Sequence, residues 1–220
     1  RIMVGTPAKK VEEHLQTFSY SATPSWPDLQ LIVGSNQLQT QLQQLAALGL
    51  NTLHYYGGLE RMHAMMNQAW VSTVMKTSKA TGISWLMTLD DRKLFVPGWP
   101  TPAPGNVSTD AQLAVWSAAV GPFAQHFCEY VSRFEVLNEP NANGYTAPDY
   151  LRVLRNTSDV LRAACPSARI LGGCLVCGGG TMGGTGCDCC AIWTATVSAA
   201  DEYDEISFHP YRFYNPDPES

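Results

Sequence analysis

The sequence predicts an α/β fold arranged as a (β/α)8 barrel, and three observations lead there. Apolar runs of strand length alternate with stretches of helical periodicity, which implies parallel strands joined by right-handed crossovers. No predicted strand is followed by a glycine-rich dinucleotide fingerprint or by a GxxxxGK(S/T) phosphate loop. Tyr55, Asp90, Glu139 and His209 fall where predicted strands end, the position at which barrels carry their active sites. A chain of 220 residues with 45% hydrophobic and 15% charged residues can bury one large core.

Residues 1–28 read as a lead-in segment, with a possible short strand at 2–4 and a helix near 11–18. The barrel is expected over 29–220. Residues 29–34 (Leu-Gln-Leu-Ile-Val-Gly) form its first strand, and Ser35 or Asn36 caps a helix with Leu38, Leu42, Leu45 and Leu48 on one face. Gly49 ends that helix. Residues 51–56 are the second strand, closed by Gly57 and Gly58. A helix over 59–79 follows, with Met62, Met65, Met66 and Ala69 on one side, and then a third strand over 83–89 reaching Asp90 and Asp91. A long loop over 92–107 holds four prolines and Trp99. Ser108 or Thr109 caps the next helix, which runs to about Tyr130. The fourth strand lies at 134–137, a helix at 148–164, the fifth strand at 168–173, a short helix at 192–199 and the sixth strand at 205–209.

Composition removes several function classes. The net charge is −5 and basic residues do not cluster, which argues against a nucleic-acid partner. No apolar stretch reaches the roughly 18 residues that a membrane-spanning helix requires. Seven cysteines and two sequons, at Asn106-Val107-Ser108 and Asn156-Thr157-Ser158, point to a secreted glycoprotein or the lumen of the secretory pathway. The chain begins with Arg1, so a missing leader says nothing about compartment. Cys174, Cys177, Cys187, Cys189 and Cys190 crowd a glycine-rich stretch after the fifth strand. Disulfides that pin this loop fit the spacing better than a zinc site, because Cys189 and Cys190 are adjacent. Cys165 is expected to join them, leaving Cys128 as an unpaired buried thiol in its helix.

The most informative run is Glu135-Val136-Leu137-Asn138-Glu139-Pro140-Asn141, an apolar strand that delivers an amide and a carboxylate side by side to its own end. Sugar hydrolysis needs a carboxyl group held in that way, to protonate a glycosidic oxygen. Together with Ile206-Ser207-Phe208-His209-Pro210-Tyr211 and the stretch from Leu42 to His54, this run resembles the clan A glycoside hydrolases. The likeness extends to the β-xylosidase and α-iduronidase family and to cellulase- or mannanase-like members.

That resemblance implies a retaining double displacement on a β-linked oligo- or polysaccharide, with Glu139 as general acid/base and no cofactor or metal. It further implies that Asn138 donates to the sugar 2-hydroxyl, and that His209 and Tyr211 lie beside a nucleophilic glutamate on a seventh strand. Counting from residue 29, six strands precede Ser220. The nucleophile is therefore expected beyond Ser220, and the chain alone is expected to be inactive. His54 stands where many clan members carry an arginine. Asp90 and Asp91 form either a substrate clamp or a solvated turn, whereas Asp201, Glu202, Asp204 and Glu205 read as surface charge. Tyr55, Tyr56, Trp99 and Tyr214 are candidates for stacking on sugar faces at the mouth. Two alternatives remain open at this point. One is an inactive barrel that binds carbohydrate or a partner protein; the other is a zinc-stabilised barrel of different function.

Overall fold

A computed structural model of the chain describes residues 20–22, 37–58, 63–64, 66–90, 106–176 and 189–209. Among them, six strands form one parallel sheet: β1 (Tyr20–Ala22), β2 (Leu50–Gly58), β3 (Ser84–Asp90), β4 (Val131–Val136), β5 (Arg169–Val176) and β6 (Glu205–His209). Their spatial order equals their sequence order. A doubly wound sheet would reverse at a switch point, so this single direction of winding is that of a barrel. Helices α1 (Leu38–Ala47), α2 (Ala69–Ala80), α3 (Asp110–Phe127), α4 (Ala147–Ala164) and α5 (Cys189–Ser198) lie between successive strands.

Local chemistry explains where the helices begin and end. The Thr109 side chain accepts from the Gln112 N–H while Gln112 reaches back to Thr109, a reciprocal capping box that starts α3. Thr146 caps α4 with its side chain, which accepts from the Asp149 N–H, and Pro148 occupies the first turn, where its missing N–H costs nothing. On α4 the buried positions Tyr150, Val153, Leu154, Thr157, Ser158 and Leu161 recur at three- and four-residue spacing and make one face. Gly49 and Gly82 take positive φ just past α1 and α2, the left-handed stop that glycine favours.

The core lies between the sheet and these helices. Leu53 and Tyr55 of β2, Trp85, Met87 and Leu89 of β3, and Phe134 and Val136 of β4 pack against Val71, Val74, Met75, Trp116, Val120 and Phe123. At its centre the Trp116 Nε1–H donates to Thr157 Oγ1 at 2.8 Å. Thr157→Val is expected to orphan that buried N–H and cost about 1–3 kcal/mol, read from the midpoint of urea unfolding.

Several expectations change. The sheet starts at Tyr20–Ala22, inside the expected lead-in, and residues 29–34 lie outside the described residues, as do Ser35 and Asn36. The Asn-Glu-Pro strand is still the fourth. Leu48 follows α1 and is 76% exposed instead of lying on its buried face. Within the helix expected over 59–79, His63, Ala64 and Met66 are helical, the chain is extended at Gln68, and α2 begins at Ala69, which is itself exposed; Val71, Val74, Met75 and Ser78 make its buried face. Met66 packs against the core, and Met62 and Met65 lie outside the described residues.

Cys128 is not an unpaired thiol. It forms a disulfide with Cys165, their Cα atoms 5.3 Å apart. Each cysteine follows the last turn of its helix, and α3 and α4 run side by side in the same direction, so their ends meet. Cys174 sits within β5 instead of the following loop. Glu205 is more than surface charge: it bridges Arg133 of β4 at 3.0 Å and Arg169 of β5 at 2.9 Å, tying three strand starts together. The second sequon lies inside α4, where Asn156 accepts from Ser117 and Thr157 and Ser158 are buried. At the first, the Asn106 amide donates to the Gly144 carbonyl.

Candidate active site

The site is built where β4 ends. Beyond Val136 the chain leaves the extended conformation abruptly: Leu137 has φ 64° and Glu139 has φ 47°. Left-handed backbone at a residue with a branched or long side chain costs about 1–3 kcal/mol and persists only where the surroundings over-determine it. Those surroundings are visible. The Leu137 N–H donates to the Leu89 carbonyl of β3, and the Glu139 N–H donates to the Cys174 carbonyl of β5. The Asn143 amide closes the turn from the other side, donating to the carbonyls of Asn138 and Glu139. Tyr145, buried beneath the loop, accepts from the Val107 N–H. Asn138 and Glu139 are thus held half-buried, side by side, on a rigid turn at the C-terminal edge of the sheet.

A third strained residue faces them. Cys174 has φ 45° and follows Gly173 at φ 94°, where the register of β5 against β6 shifts. The Gly173 N–H donates to the Tyr150 hydroxyl at 2.5 Å, and burial pushes that phenol up from its ordinary range. A Cβ on Gly173 would stand 2.7 Å from the Ser207 carbonyl oxygen. Gly173→Ala is therefore expected to lower stability by about 2–4 kcal/mol, measured by thermal unfolding. The Cys174 thiol donates to Asn138 Oδ1 over 3.8 Å. Burial first, and then the Glu135 carboxylate, push this thiol far above its usual range, so it acts as a hydrogen-bonding group and not as a nucleophile.

Beneath the turn, inside the sheet, runs a chain of polar groups. Glu135 is 2% exposed; its carboxylate accepts from Thr88 Oγ1 and from Ser207 Oγ, both at 2.6 Å. The Thr88 proton goes to Glu135, so His54 Nε2, 2.7 Å from Thr88 Oγ1, supplies the hydrogen of that contact. The Nε2 atom of His54 is also 3.8 Å from Glu135 Oε2. His54 is accordingly a hydrogen-bonded barrel histidine. The sequence reading overlooked Glu135, Thr88 and Ser207. Glu135 did leave a signal, as the one acidic residue of β4, set between the apolar Phe134 and Val136.

The other predicted site residues divide. Asp90 ends β3 and is 3% exposed, which excludes a solvated turn. Tyr55 is also 3% exposed, but it shares the helix-facing side of β2 with Leu53 and so packs in the core instead of lining the mouth. Its neighbour Tyr56 takes the opposite side and is 39% exposed. His209 ends β6, paired in register with Val176 of β5. Trp99, Tyr211, Asp91 and Tyr214 lie outside the described residues, as do Cys177 and Cys187. Among the described residues no group of three metal-ligating side chains gathers, and no helix is long and apolar enough to cross a membrane.

No family model matches the sequence, and no curated protein matches it. Solved structures do share its fold. A family 39 glycoside hydrolase from the gut symbiont Bacteroides cellulosilyticus WH2 superposes with a TM-score of 0.60 at 19% identity, over 87% of this chain and 38% of the other. A monomeric β-xylosidase from Caulobacter crescentus CB15 gives a TM-score of 0.57 at 18% identity, over 88% of this chain and 42% of its own. An exo-β-1,4-mannosidase from Opitutaceae bacterium strain TAV5 gives 0.54 at 15% identity, covering 72% and 32%. The chain thus shares the barrel fold of these structures, the fold class that the sequence predicted. The chain spans about two fifths of the length of the first of these structures.

Proposed function

We propose that the chain carries the acid/base half of a retaining glycoside hydrolase acting on a β-linked oligo- or polysaccharide. The observation that carries this reading is the over-determined turn at the end of β4, which holds a carboxylate and an amide together at the barrel mouth. Glu139 protonates the glycosidic oxygen as the bond to the anomeric carbon breaks, and a glutamate nucleophile forms the glycosyl-enzyme. Glu139, now a carboxylate, then takes a proton from water, which hydrolyses that intermediate with net retention.

Asn138 contributes a hydrogen bond to the sugar 2-hydroxyl that tightens as positive charge develops on the ring. With its Oδ1 on Cys174, the amide Nδ2 is the end that meets the sugar. His209, Tyr211, Trp99 and Asp90 are assigned to substrate binding, and the nucleophile to a strand following β6, beyond Ser220. The Cys128–Cys165 disulfide favours a secreted protein.

Screening the protein at full natural length against aryl glycosides and β-linked polysaccharides tests this reading, with proton NMR following the anomer released first. Retained configuration on a β-linked substrate is expected. An inverted product, or no hydrolysis across the panel, would sink the proposal.

A further inference from the structure

We propose that Ser207, seated on the buried Glu135 carboxylate, is a positioning residue for the Asn138–Glu139 pair and acts through the strained Cys174 bulge. This rests on the acid/base reading of Glu139 given above.

The direction of each hydrogen bond is forced. A backbone N–H only donates, so the Ser207 oxygen accepts from the Cys174 N–H at 3.1 Å, and its own proton points at Glu135 Oε1, 2.6 Å away. The Cys174 carbonyl in turn accepts from the Glu139 N–H at 3.0 Å, and its thiol reaches Asn138 Oδ1. One residue therefore grips both members of the pair, Glu139 by backbone and Asn138 by side chain. That residue sits at φ 45°, a conformation it keeps only while its N–H is held. Ser207 is what holds it. Glu135 fixes Ser207 in turn, and Glu135 is braced on its other oxygen by Thr88.

None of these four side chains needs to touch the sugar. Their effect is to set the angle at which the acid meets the glycosidic oxygen, a geometry in which a displacement of about 1 Å costs about 100-fold in rate.

The test compares Ser207→Ala, Ser207→Thr and Glu135→Gln with Glu139→Gln, all in the protein at full natural length. Each is assayed on an unactivated β-linked disaccharide and on the matching dinitrophenyl glycoside. For Ser207→Ala, kcat/KM should fall by about 30-fold on the disaccharide and by less than about 3-fold on the dinitrophenyl substrate. Ser207→Thr, which keeps the hydroxyl, should restore the disaccharide rate to within about 3-fold of wild type. A general loss of packing would lower both substrates together and would not respond to the hydroxyl.

Equal losses on both substrates, or no loss on the disaccharide, overturn the positioning role. If Ser207→Ala fails to fold by thermal melt, the same ratio is read from Glu135→Gln. A leaving-group-dependent loss in Glu139→Gln without one in Ser207→Ala removes this inference alone. An equal loss in Glu139→Gln, or a wild-type protein without hydrolysis, removes the acid/base reading and this inference together.

Discussion

Glu139→Gln is expected to lower kcat/KM on an unactivated β-linked disaccharide by about 100- to 10,000-fold in the protein at full natural length. This constant reports events up to formation of the glycosyl-enzyme, the half-reaction in which the leaving oxygen must be protonated. Dinitrophenolate leaves without a proton, so kcat/KM on a dinitrophenyl glycoside should change by less than about 10-fold, while its kcat falls because water attack still needs a base. The two assays thus separate a lost acid from a lost fold. The isosteric amide keeps the volume of the side chain, and the turn that carries it is held by backbone groups of Leu89, Leu137 and Cys174 that the substitution leaves in place. Equal falls in kcat/KM on the two substrates would show that Glu139 has a different role.

Removing the Cys128–Cys165 disulfide is the second large effect expected. The bridge closes a loop with a sequence separation of 37, for which chain entropy assigns about 4 kcal/mol of stability. Cys128→Ala with Cys165→Ala should lower the unfolding free energy by an amount of that order, read by urea denaturation with reductant absent. The loop it closes contains β4 and the start of the candidate site, so in the protein at full natural length the proposed hydrolysis should persist at low temperature and be lost on warming before that of wild type. Reduction of the unsubstituted protein should give the same shift. A midpoint unchanged in both experiments would mean that packing of α3 on α4, through Trp116 and Thr157, already supplies the constraint.

Much of the fold was legible because it is written in short-range periodicity. Strand β6 was read at its observed bounds, and β3, β5 and α4 to within a few residues, since apolar alternation and side-chain caps such as Thr109 act within one turn of their own positions. The same alternation contained the answer for Tyr55. It shares a side with Leu53, whereas His54 and Tyr56 share the other, so an aromatic near a strand end is a mouth residue only in the correct phase. The helix read as one piece over 59–79 is broken at Gln68, which separates the helical residues 63, 64 and 66 from α2; methionines at helical spacing carry no record of that break.

The pairing of Cys128 was not legible. Nothing near it in sequence identifies Cys165; only the parallel packing of two whole helices brings their ends within 5.3 Å. Glu135 was half legible, conspicuous as a carboxylate between the apolar Phe134 and Val136 but without visible partners. Those partners, Thr88 and Ser207, are 47 positions before it and 72 after it.

The sequence by itself determined the alternation of strands and helices and the presentation of Asn138 and Glu139 at the end of the fourth strand, because both follow from residues that are neighbours along the chain. The tertiary structure alone decided what surrounds that pair. Sheet order sets Thr88, Glu135, Leu171 and Ser207 on four successive strands, and register brings the hydroxyls of Thr88 and Ser207 to one buried carboxylate and Cys174 under the turn that follows β4. Such contacts depend on strand register and helix packing over tens of residues, and local periodicity carries no record of them.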